Sequence, residues 1–554
     1  QNWGLDYLGI PGTNGPDIRQ SGFPIFNFNN SYTSLGSADT WNPAFYRDQT
    51  YTHTTNVSWT HGGHDLRFGF DLVRHQFNHW QPEIGGGPRG MFTFTGGVTA
   101  LNGGASPNQF NSYADFLLGL PQTVQKSLQY EEMNPREWQF GWYVRDRWQV
   151  TRKLTWNIGL RYEYFPLIRR ASRGIERYDP FTNQVLIGGR GNTPDDVGIE
   201  VSKRLFAPRV GFAYRVQDGT VIRSGYGITY DPMPFSRPLE GPYPSTINGF
   251  FTGSTSFTPF QPIEQGIPPV IGPDLSTGVA TLPLNVADRS PWGGMLHRGY
   301  IQSWNFIVER RLPAQFVTTV GYVGTKSTHL LADRDINAAP AGGGVAGQQL
   351  YPVLGRTAAT TMWDGWLNSN YHSLQATLTR PFTKGMMFKA AYTFSKAIDQ
   401  TDEDGWASVT WNYPTVLNRN RALSGFDRTH IFQAAYVVEL PFGHGKKLAS
   451  KGVAAAILGN WQANGLVSAF TGIPFTVTAS TASLNAPGNG QTADQVTAAV
   501  AKLGGVGPGA PFYDPNAFAP VRTARYGTSG RNILRAPGVV NTDLSLFRAF
   551  KLNE

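Results

Sequence analysis

Apolar and polar residues alternate along much of this chain with a period of two. From Leu154 to Tyr164, every second residue is large and apolar, whereas the residues between them are polar or small. Successive side chains of a β-strand point to opposite faces, so this pattern predicts strands with one apolar and one polar face. The same alternation recurs over residues 66–72, 206–214, 386–394 and 432–440.

The length of these segments and the chemistry of their faces favour strands that cross a membrane. Many segments run for about 10 to 13 residues, which is longer than most strands of soluble sheets and close to the span of a tilted transmembrane strand. Their polar faces carry Gly, Thr, Asn, Arg and Glu, as a water-filled lumen would. Aromatic residues such as Trp138, Trp142 and Trp148 gather near segment ends, where amphipathic rings suit the lipid headgroups. The predicted fold class is therefore all-β, a transmembrane antiparallel β-barrel.

The connections between the predicted strands alternate between tight turns and long loops. In outer-membrane barrels the short turns face the periplasm and the long loops face outward, so this alternation also predicts the orientation. The tight turns are at residues 61–64, 151–153, 217–219, 312–314 and 382–385, and the long loops span about residues 166–205, 231–299, 326–369, 397–426 and 479–540.

The bulk composition agrees with a strand-rich protein and excludes several classes. Charged residues are 15% of the 554 residues and aromatic residues 13%, with 64 Gly and 38 Pro in clusters along the chain. The chain has no cysteine, which excludes disulfides, zinc–thiolate sites and a cysteine nucleophile. The net charge of +9 could suit an anionic partner such as nucleic acid, lipopolysaccharide or an acidic substrate. Because the basic residues are scattered singly, we interpret them as a solvated lumen and loop surface, and expect no nucleic-acid partner.

Several phrases resemble, in family order, the Oar-like TonB-dependent outer-membrane receptors. The most specific match is residues 142–148 (WYVRDRW) followed by residues 154–164 (LTWNIGLRYEY). The other matching phrases lie at residues 65–70, 114–121 (ADFLLGLP), 208–214, 224–227, 320–324, 392–396, 426–430, 439–443 (ELPFG) and 540–547. The resemblance implies a signal peptide, a carboxypeptidase-regulatory-like domain, a plug and a 22-stranded barrel in the whole protein. It covers nearly the whole chain from about Tyr51.

The resemblance sets the expected domain organisation, partners and location. We expect residues 1–49 to form one extracellular loop segment, and residues 50–554 to form an incomplete barrel of about fifteen strands, whereas single-chain bacterial barrels have even numbers. The plug, the N-terminal domain and the last strands are expected to lie outside this sequence. The resemblance implies the bacterial outer membrane as location. It also implies the TonB–ExbB–ExbD complex, outer-membrane lipid with lipopolysaccharide, and an unidentified nutrient as partners.

Four tryptophans on the predicted long loops are the candidate ligand-binding residues: Trp363, Trp366, Trp406 and Trp411. Exposed indoles stack on sugar rings and other ligands, although packing of the loops over the barrel mouth would use them equally well. Two further clusters are weaker candidates for metal binding. One is a histidine cluster that does not converge easily across a hairpin: His53, His61, His64, His75 and His79. The other is an acidic cluster that lacks the spacing of an EF-hand and is interpreted as an exposed loop turn: Asp399, Asp402, Glu403 and Asp404.

The sequence predicts neither an enzyme nor a cofactor. The chain has no Gly-x-Ser-x-Gly elbow, no His-Glu-x-x-His pair and no phosphate-binding loop. The leading hypothesis is TonB-dependent uptake of a scarce nutrient that is too large for porins, through a plugged barrel. The alternative is a surface binding or adhesion protein that is anchored by the same barrel. A secreted carbohydrate-active enzyme ranks lowest, because its paired carboxylates are not evident.

Overall fold

The computed structural model describes residues 2–28, 32–37, 39–82, 85–100, 109–232, 242–253, 257–402, 408–479, 481 and 484–550. Within this part of the chain, the largest unit is one sheet in which thirteen antiparallel strands follow each other in chain order. We number them β1 (Phe45–His61), β2 (His64–Trp80), β3 (Pro135–Gln149), β4 (Leu154–Tyr164), β5 (Leu205–Gln217), β6 (Thr220–Tyr230), β7 (Tyr300–Arg311), β8 (Val317–Asp335), β9 (Thr360–Thr383), β10 (Met386–Asp399), β11 (His430–Glu439), β12 (Trp461–Phe470) and β13 (Val539–Arg548).

The apolar side chains of neighbouring strands lie on one common face of this sheet. Val144 is paired with Leu160, and Ile158 is paired with Val210. All four side chains are exposed to the surroundings of the chain. A soluble sandwich would bury this face against a second layer, whereas lipid covers it in a membrane barrel. The prediction of an all-β fold with a lipid-facing apolar side is therefore confirmed.

All five predicted tight turns connect neighbouring strands of the sheet. The β1–β2 turn holds Gly62 at φ 56° and the β5–β6 turn holds Gly219 at φ 81°, backbone conformations that glycine adopts without strain. The five turns lie at one end of the sheet and the long loops at the other. A sixth connection at the turn end, residues 440–460 between β11 and β12, is long and contains a helix.

The first strand and the N-terminal segment differ in detail from the expected boundaries. The first strand begins at Phe45, which pairs with Trp80, so the boundary after residue 49 was placed five residues too late. Against the expected number of about fifteen strands, the large sheet has thirteen strands along its described path and three short strands beside it. Residues 1–49 are not a single loop either, because Ile25–Asn27 and Leu35–Gly36 are strands of a separate sheet.

The long loops fold into a layer of small sheets beyond one end of the large sheet. A five-stranded sheet joins the N-terminal segment to the β2–β3 and β6–β7 loops. Its strands are Thr246–Thr252, Thr123–Gln129, Met91–Thr93, Ile25–Asn27 and Leu35–Gly36. The smaller pairings involve Glu176–Asp179, Gln184–Ile187 and Val279–Thr281; Ile199–Val201 with Gly294–Leu296; Pro474–Phe475 with Leu534–Arg535; and Asp494–Gln495 with Phe518–Ala519. Three further short strands pair with the large sheet: Arg169–Arg170, Asp288–Pro291 and Ala422–Leu423.

The helices are short, and none among the described residues is long and apolar enough to cross a membrane. The α-helices are α1 (Gln109–Leu117), α2 (Tyr351–Leu354) and α3 (Gly452–Leu458). A π-helical turn spans Trp3–Tyr7, and 3₁₀ turns span Ile18–Gln20, Ile263–Gln265, Pro313–Gln315, Pro414–Asn420 and Pro515–Ala517.

Candidate functional site

The candidate tryptophans do not form an exposed group. Trp363 is 1% exposed and Trp411 is 0% exposed, so the expectation of accessible indoles is wrong at both positions. Trp366 is partly buried, and its indole N–H donates to the carbonyl of Ala332 at 2.9 Å. Trp406 lies outside the described residues. The contact of these residues with a ligand remains a prediction, and loop packing is what the described indoles do in this structure.

Each buried indole joins segments that are far apart in sequence. Trp363, near the start of β9, packs with Ile168 and Val197 from the β4–β5 loop and with Leu296 from the β6–β7 loop. Trp411 forms a β-bridge with Asn489 of the β12–β13 loop, and its ring lies beneath the guanidinium of Arg419 in its own loop, whose Cζ is 5.0 Å from the ring centroid. The sequence could not predict this burial, because the partners come from loops whose relative placement only the folded sheet fixes.

A buried ion network lies in the same layer of loops. Arg170 and Arg173 both contact Glu176, and Arg173 also contacts Glu131 at the end of the β2–β3 loop. Ser245 donates its hydroxyl to Glu176 from the β6–β7 loop. Burial raises the pKa of Glu176, but the guanidinium groups of Arg170 and Arg173 outweigh it and lower this pKa to about 2. Three loops are thus tied together through Arg173 and the carboxylates of Glu131 and Glu176.

The two weaker metal candidates are engaged in other contacts. Asp399 and Asp402 both pair with Arg531, at 2.9 and 2.6 Å, while Glu403 and Asp404 lie outside the described residues. Asp399 is buried, so the interpretation of this cluster as an exposed loop turn is wrong there. His64 on β2 contacts Asp146, the residue that interrupts the apolar face of β3, at 2.6 Å. Among the described residues, His, Asp and Glu side chains form no group of three that could hold a metal ion.

The inner, polar face of the sheet contains a hollow over β4, β5 and β6. The residues at its floor are glycines, which leave space where other residues would place side chains. Gly211 is paired with Gly225, and Gly159 lies two positions along β4 from Asn157, the other partner of Gly211. The resulting cavity has a volume of 660 Å³. Its floor is formed by Gly159, Gly211, Gly225 and Gly227.

Arginines form the rim of this hollow. Arg67 is paired with Arg145, while Arg209 is paired with both Gly159 and Gly227, so these side chains share the polar face. None of the three has a carboxylate within ion-pair distance in the described part of the chain. Arg161, by contrast, contacts Asp71 at 2.6 Å and Glu163 at 2.8 Å. The hollow is therefore a positively charged concavity that suits anionic groups.

Sequence reasoning missed this hollow, although its residues were visible as the polar face of the predicted strands. The signal is a run of glycines at alternate positions, such as Gly225 and Gly227, opposite arginines on neighbouring strands. Glycines at these positions become one surface only when the register of three strands is known, and the alternation of a single strand does not give that register.

Comparison with known proteins places the chain among outer-membrane barrels. No curated protein matches it significantly. Solved neighbours include the outer membrane transporter YddB from Escherichia coli (9% identity, 80% of this chain, 44% of that chain, TM-score 0.41). Another is the FrpB iron transporter from Neisseria meningitidis, with 11% identity over 91% of this chain and 48% of that chain and a TM-score of 0.38. A third is the ferripyoverdine receptor of the Pseudomonas aeruginosa outer membrane, with 11% identity over 81% of this chain and 41% of that chain and a TM-score of 0.38. The chain spans less than half the length of these three. The family described as outer membrane β-barrel domain matches residues 1–554, so the chain belongs to that family and resides in the outer membrane.

Proposed function

We propose that this chain forms the wall and outer loops of a TonB-dependent importer that takes up a scarce nutrient too large for porins. The observation that carries the proposal is the polarity of the sheet: an apolar outer face and a polar inner face with an arginine-rimmed hollow of 660 Å³. When a sheet of thirteen or more strands is closed into a barrel, its lumen is too wide for its own side chains to fill. Such a lumen serves passage of a solute, provided that a plug controls it.

The proposal assigns the remaining partners as follows. Energy would come from the TonB–ExbB–ExbD complex, which would act on a plug through strand addition. The layer of loops would meet the nutrient and lipopolysaccharide at the cell surface. The unpaired Arg67, Arg145 and Arg209 favour a nutrient or plug segment that carries negative charge. No catalytic step is part of the proposal.

The test compares cells that carry the whole protein with cells that lack it. Both strains receive radiolabelled ferric chelates, oligosaccharides and peptides that exceed porin size, and internal label is measured with and without a protonophore. Import predicts that at least one probe accumulates inside only when the protein is present, and that the protonophore abolishes this accumulation. Retention of label at the surface that ignores the protonophore would overturn import and favour the adhesion hypothesis.

A pair of variants links uptake to the hollow. Gly225→Leu places a side chain into the floor, where an added Cβ meets its nearest neighbour, Asn305, at an ordinary 3.5 Å. Gly507→Leu makes the same chemical change in an open loop where nothing lies within 4 Å. Import through the hollow predicts slower uptake for Gly225→Leu alone. Equal uptake by the two variants would exclude the hollow from the path.

A further inference from the structure

The β11–β12 connection is the exception among the connections at the turn end of the sheet. The five other described connections at this end are tight turns, whereas this one runs over residues 440–460 and includes α3. Because short turns face the periplasm in outer-membrane barrels, the β11–β12 connection lies at the periplasmic end. A connection of this length is not needed to join two antiparallel neighbours, so it calls for a separate explanation.

Hydrogen bonds hold α3 against the lipid-facing side of the sheet. Trp461 opens β12 and is paired with Arg548 of β13, so both side chains are on one face. The same face includes Ala463, which is paired with Val438 on the apolar side of β11. The indole of Trp461 donates to the carbonyl of Ile457 at 3.0 Å.

The guanidinium of Arg548 makes a second attachment to α3. It donates to the carbonyl of Ala456 in the helix and to the carbonyl of Gly459 just after it, the latter at 3.3 Å. The two side chains that donate hydrogen bonds to α3, Trp461 and Arg548, thus both project from the lipid-facing side of the sheet. We conclude that α3 is outside the barrel wall, at the level where the strands end.

The outer surface of α3 is apolar and uncovered in this chain. Val453 is 74% exposed and Ile457 is 59% exposed, and their spacing of four places them on the same side of the helix. Ala455 is buried beneath them. Leu448 and Leu458 add two more exposed aliphatic side chains to the connection. Exposure of this apolar surface to water would cost free energy. At the hydrocarbon boundary the surface instead continues the apolar face of the barrel.

The charge of the connection suits anionic phospholipid. Residues 441–460 contain His444, Lys446, Lys447 and Lys451 and no acidic residue. Lys446 pairs with Glu439 at 2.5 Å. Lys447 and Lys451 are exposed and have no ion pair in the described part of the chain. Lysines beside an apolar helix face at the membrane boundary are typical of segments that bind phosphate headgroups.

We propose that residues 441–460 form an interfacial anchor in the periplasmic leaflet of the outer membrane. Val453, Ile457 and their aliphatic neighbours enter the acyl boundary, and Lys447 and Lys451 bind the phosphates of anionic phospholipids. This anchor fixes the β11–β12 end of the wall to the inner leaflet. The proposal concerns contact with lipid and does not depend on what the barrel transports.

The absence of cysteine from the chain makes a site-specific test direct. Ile457→Cys is labelled with an environment-sensitive fluorophore in the full chain, which is then reconstituted into phosphatidylcholine vesicles with and without phosphatidylglycerol. The matched control is Asp218→Cys in the tight β5–β6 turn at the same end of the sheet, where the side chain is exposed. Lipids that carry a spin label near the headgroup should quench the label at position 457 and leave the label at position 218 unquenched.

A second pair of variants tests the lysines. Lys447→Gln and Lys451→Gln should each lower the equilibrium constant for docking of residue 457 about fivefold in phosphatidylglycerol vesicles and have little effect in pure phosphatidylcholine. Val453→Cys provides an independent label position if Ile457→Cys alters the helix. The anchor would be overturned if labels at positions 453 and 457 were both as exposed to water as the label at position 218. It would also be overturned if protection of the label from water increased with the protein-to-lipid ratio, because that would indicate contact with a second copy. An unchanged docking constant in both lysine variants would overturn it as well.

Discussion

Two groups of arginines in this protein differ in how their charge is balanced. Arg170 and Arg173 are buried in the loop layer and are neutralised by Glu131 and Glu176. Removal of one partner from such a buried set leaves an uncompensated charge, which costs far more than the loss of a surface pair. In the lumen, Arg67, Arg145 and Arg209 have no carboxylate partner among the described residues. Arginine therefore stabilises the loops in one place and makes the electrostatic potential of the lumen positive in the other.

Glu176→Gln is expected to loosen the loop layer. The substitution removes the charge that Arg170 and Arg173 share and should destabilise the local structure by about 3–5 kcal/mol at pH 7. Hydrogen exchange measured over residues 166–204 should rise accordingly. The control is Asp195→Asn, which breaks the half-exposed pair with Arg169 and should cost less than about 1 kcal/mol. Similar exchange in the two variants would show that the buried network carries no special stability.

The stabilisation of the loop layer by Glu176 should also depend on pH in a defined direction. A carboxyl group whose pKa is lowered on folding stabilises the folded state above its unfolded pKa, and this stabilisation is lost as the pH falls through the folded pKa. For Glu176 the window runs from 4.5 down to about 2. Pepsin cleavage of the β4–β5 loop should therefore differ strongly between wild type and Glu176→Gln at pH 5, and converge near pH 2. A constant difference across this range would contradict the assignment.

The lumenal arginines should differ in chemical reactivity. Arg145 and Arg209 are exposed and unpaired in the described part of the chain, whereas Arg161 is held by two carboxylates. Phenylglyoxal, which attacks accessible guanidinium groups, should modify Arg145 and Arg209 faster than Arg161, as measured by peptide mass spectrometry. Inorganic pyrophosphate should protect Arg145 and Arg209 from this modification, because a multiply charged anion binds favourably to two guanidinium groups at once. Uniform rates without protection would rule out the hollow as an anion-binding concavity.

At the scale of elements, β8 and β9 do more than cross the membrane. β9 has 24 residues, which at about 3.3 Å per residue extend for about 80 Å, whereas about 9–11 tilted residues cross the hydrocarbon core. The upper part of the β8–β9 hairpin therefore stands above the bilayer. There it pairs with Asp288–Pro291 and packs through Trp363 against two other loops. The hairpin is the scaffold on which the loop layer is assembled.

Arg356 is the main polar link between this scaffold and the β6–β7 loop. Its buried guanidinium donates to the hydroxyl of Thr360 at 2.7 Å and to the carbonyls of Pro283 and Val286 at 3.1 and 2.6 Å. Arg356→Met would remove the donor to the buried Val286 carbonyl, at a cost of about 1–3 kcal/mol, whereas the Pro283 carbonyl would keep its bond from the Val286 amide. We expect faster hydrogen exchange at residues 282–291 and 360–367, with residues 370–380 unchanged because their ladders with β8 and β10 remain.

The control for Arg356→Met is Arg421→Met, which removes an exposed contact with Asn370. An exposed hydrogen bond competes with water, so this variant should change exchange little. If both variants behave alike, the loop layer is held by its apolar clusters and not by Arg356.

Strands and tight turns were predictable from sequence because their determinants are local. Alternation gives the two faces of a strand directly, and glycines such as Gly62, Gly219 and Gly385 mark turns that need positive φ. Burial of Trp363 and Trp411 was not predictable, since their partners come from separate loops. The same limit applies to Thr123–Gln129 and Thr246–Thr252, which have strand length but pair with each other in the loop layer. Which strands pair is a property of the tertiary fold.

At the scale of the whole molecule, the large sheet has two open edges in the described part of the chain. β1 pairs with β2 alone and β13 pairs with β12 alone. Side chains along β1 are exposed on both faces, and those of β13 are exposed over nearly its whole length. An edge strand carries a row of unpaired N–H and C=O groups that invites another strand. In hydrocarbon such groups are costly, so the two edges are where further strands or another chain would add.

Hydrogen exchange of the 554-residue chain in detergent tests this view of the edges. Amides on the open sides of β1 and β13 have no neighbouring strand in the described part of the chain and should exchange rapidly, whereas amides of β8 and β9, which lie between two strands, should exchange slowly. The inner sides of β1 and β13, bonded to β2 and β12, serve as controls within the same strands. Alternate amides along each edge strand should therefore differ. If the open-side amides were as protected from exchange as those of β8, the two edges would be paired either with each other or with a second copy of the chain. Protection that falls when the protein is diluted would indicate pairing with a second copy. Rapid exchange confined to the open sides would establish that β1 and β13 are available for strand addition.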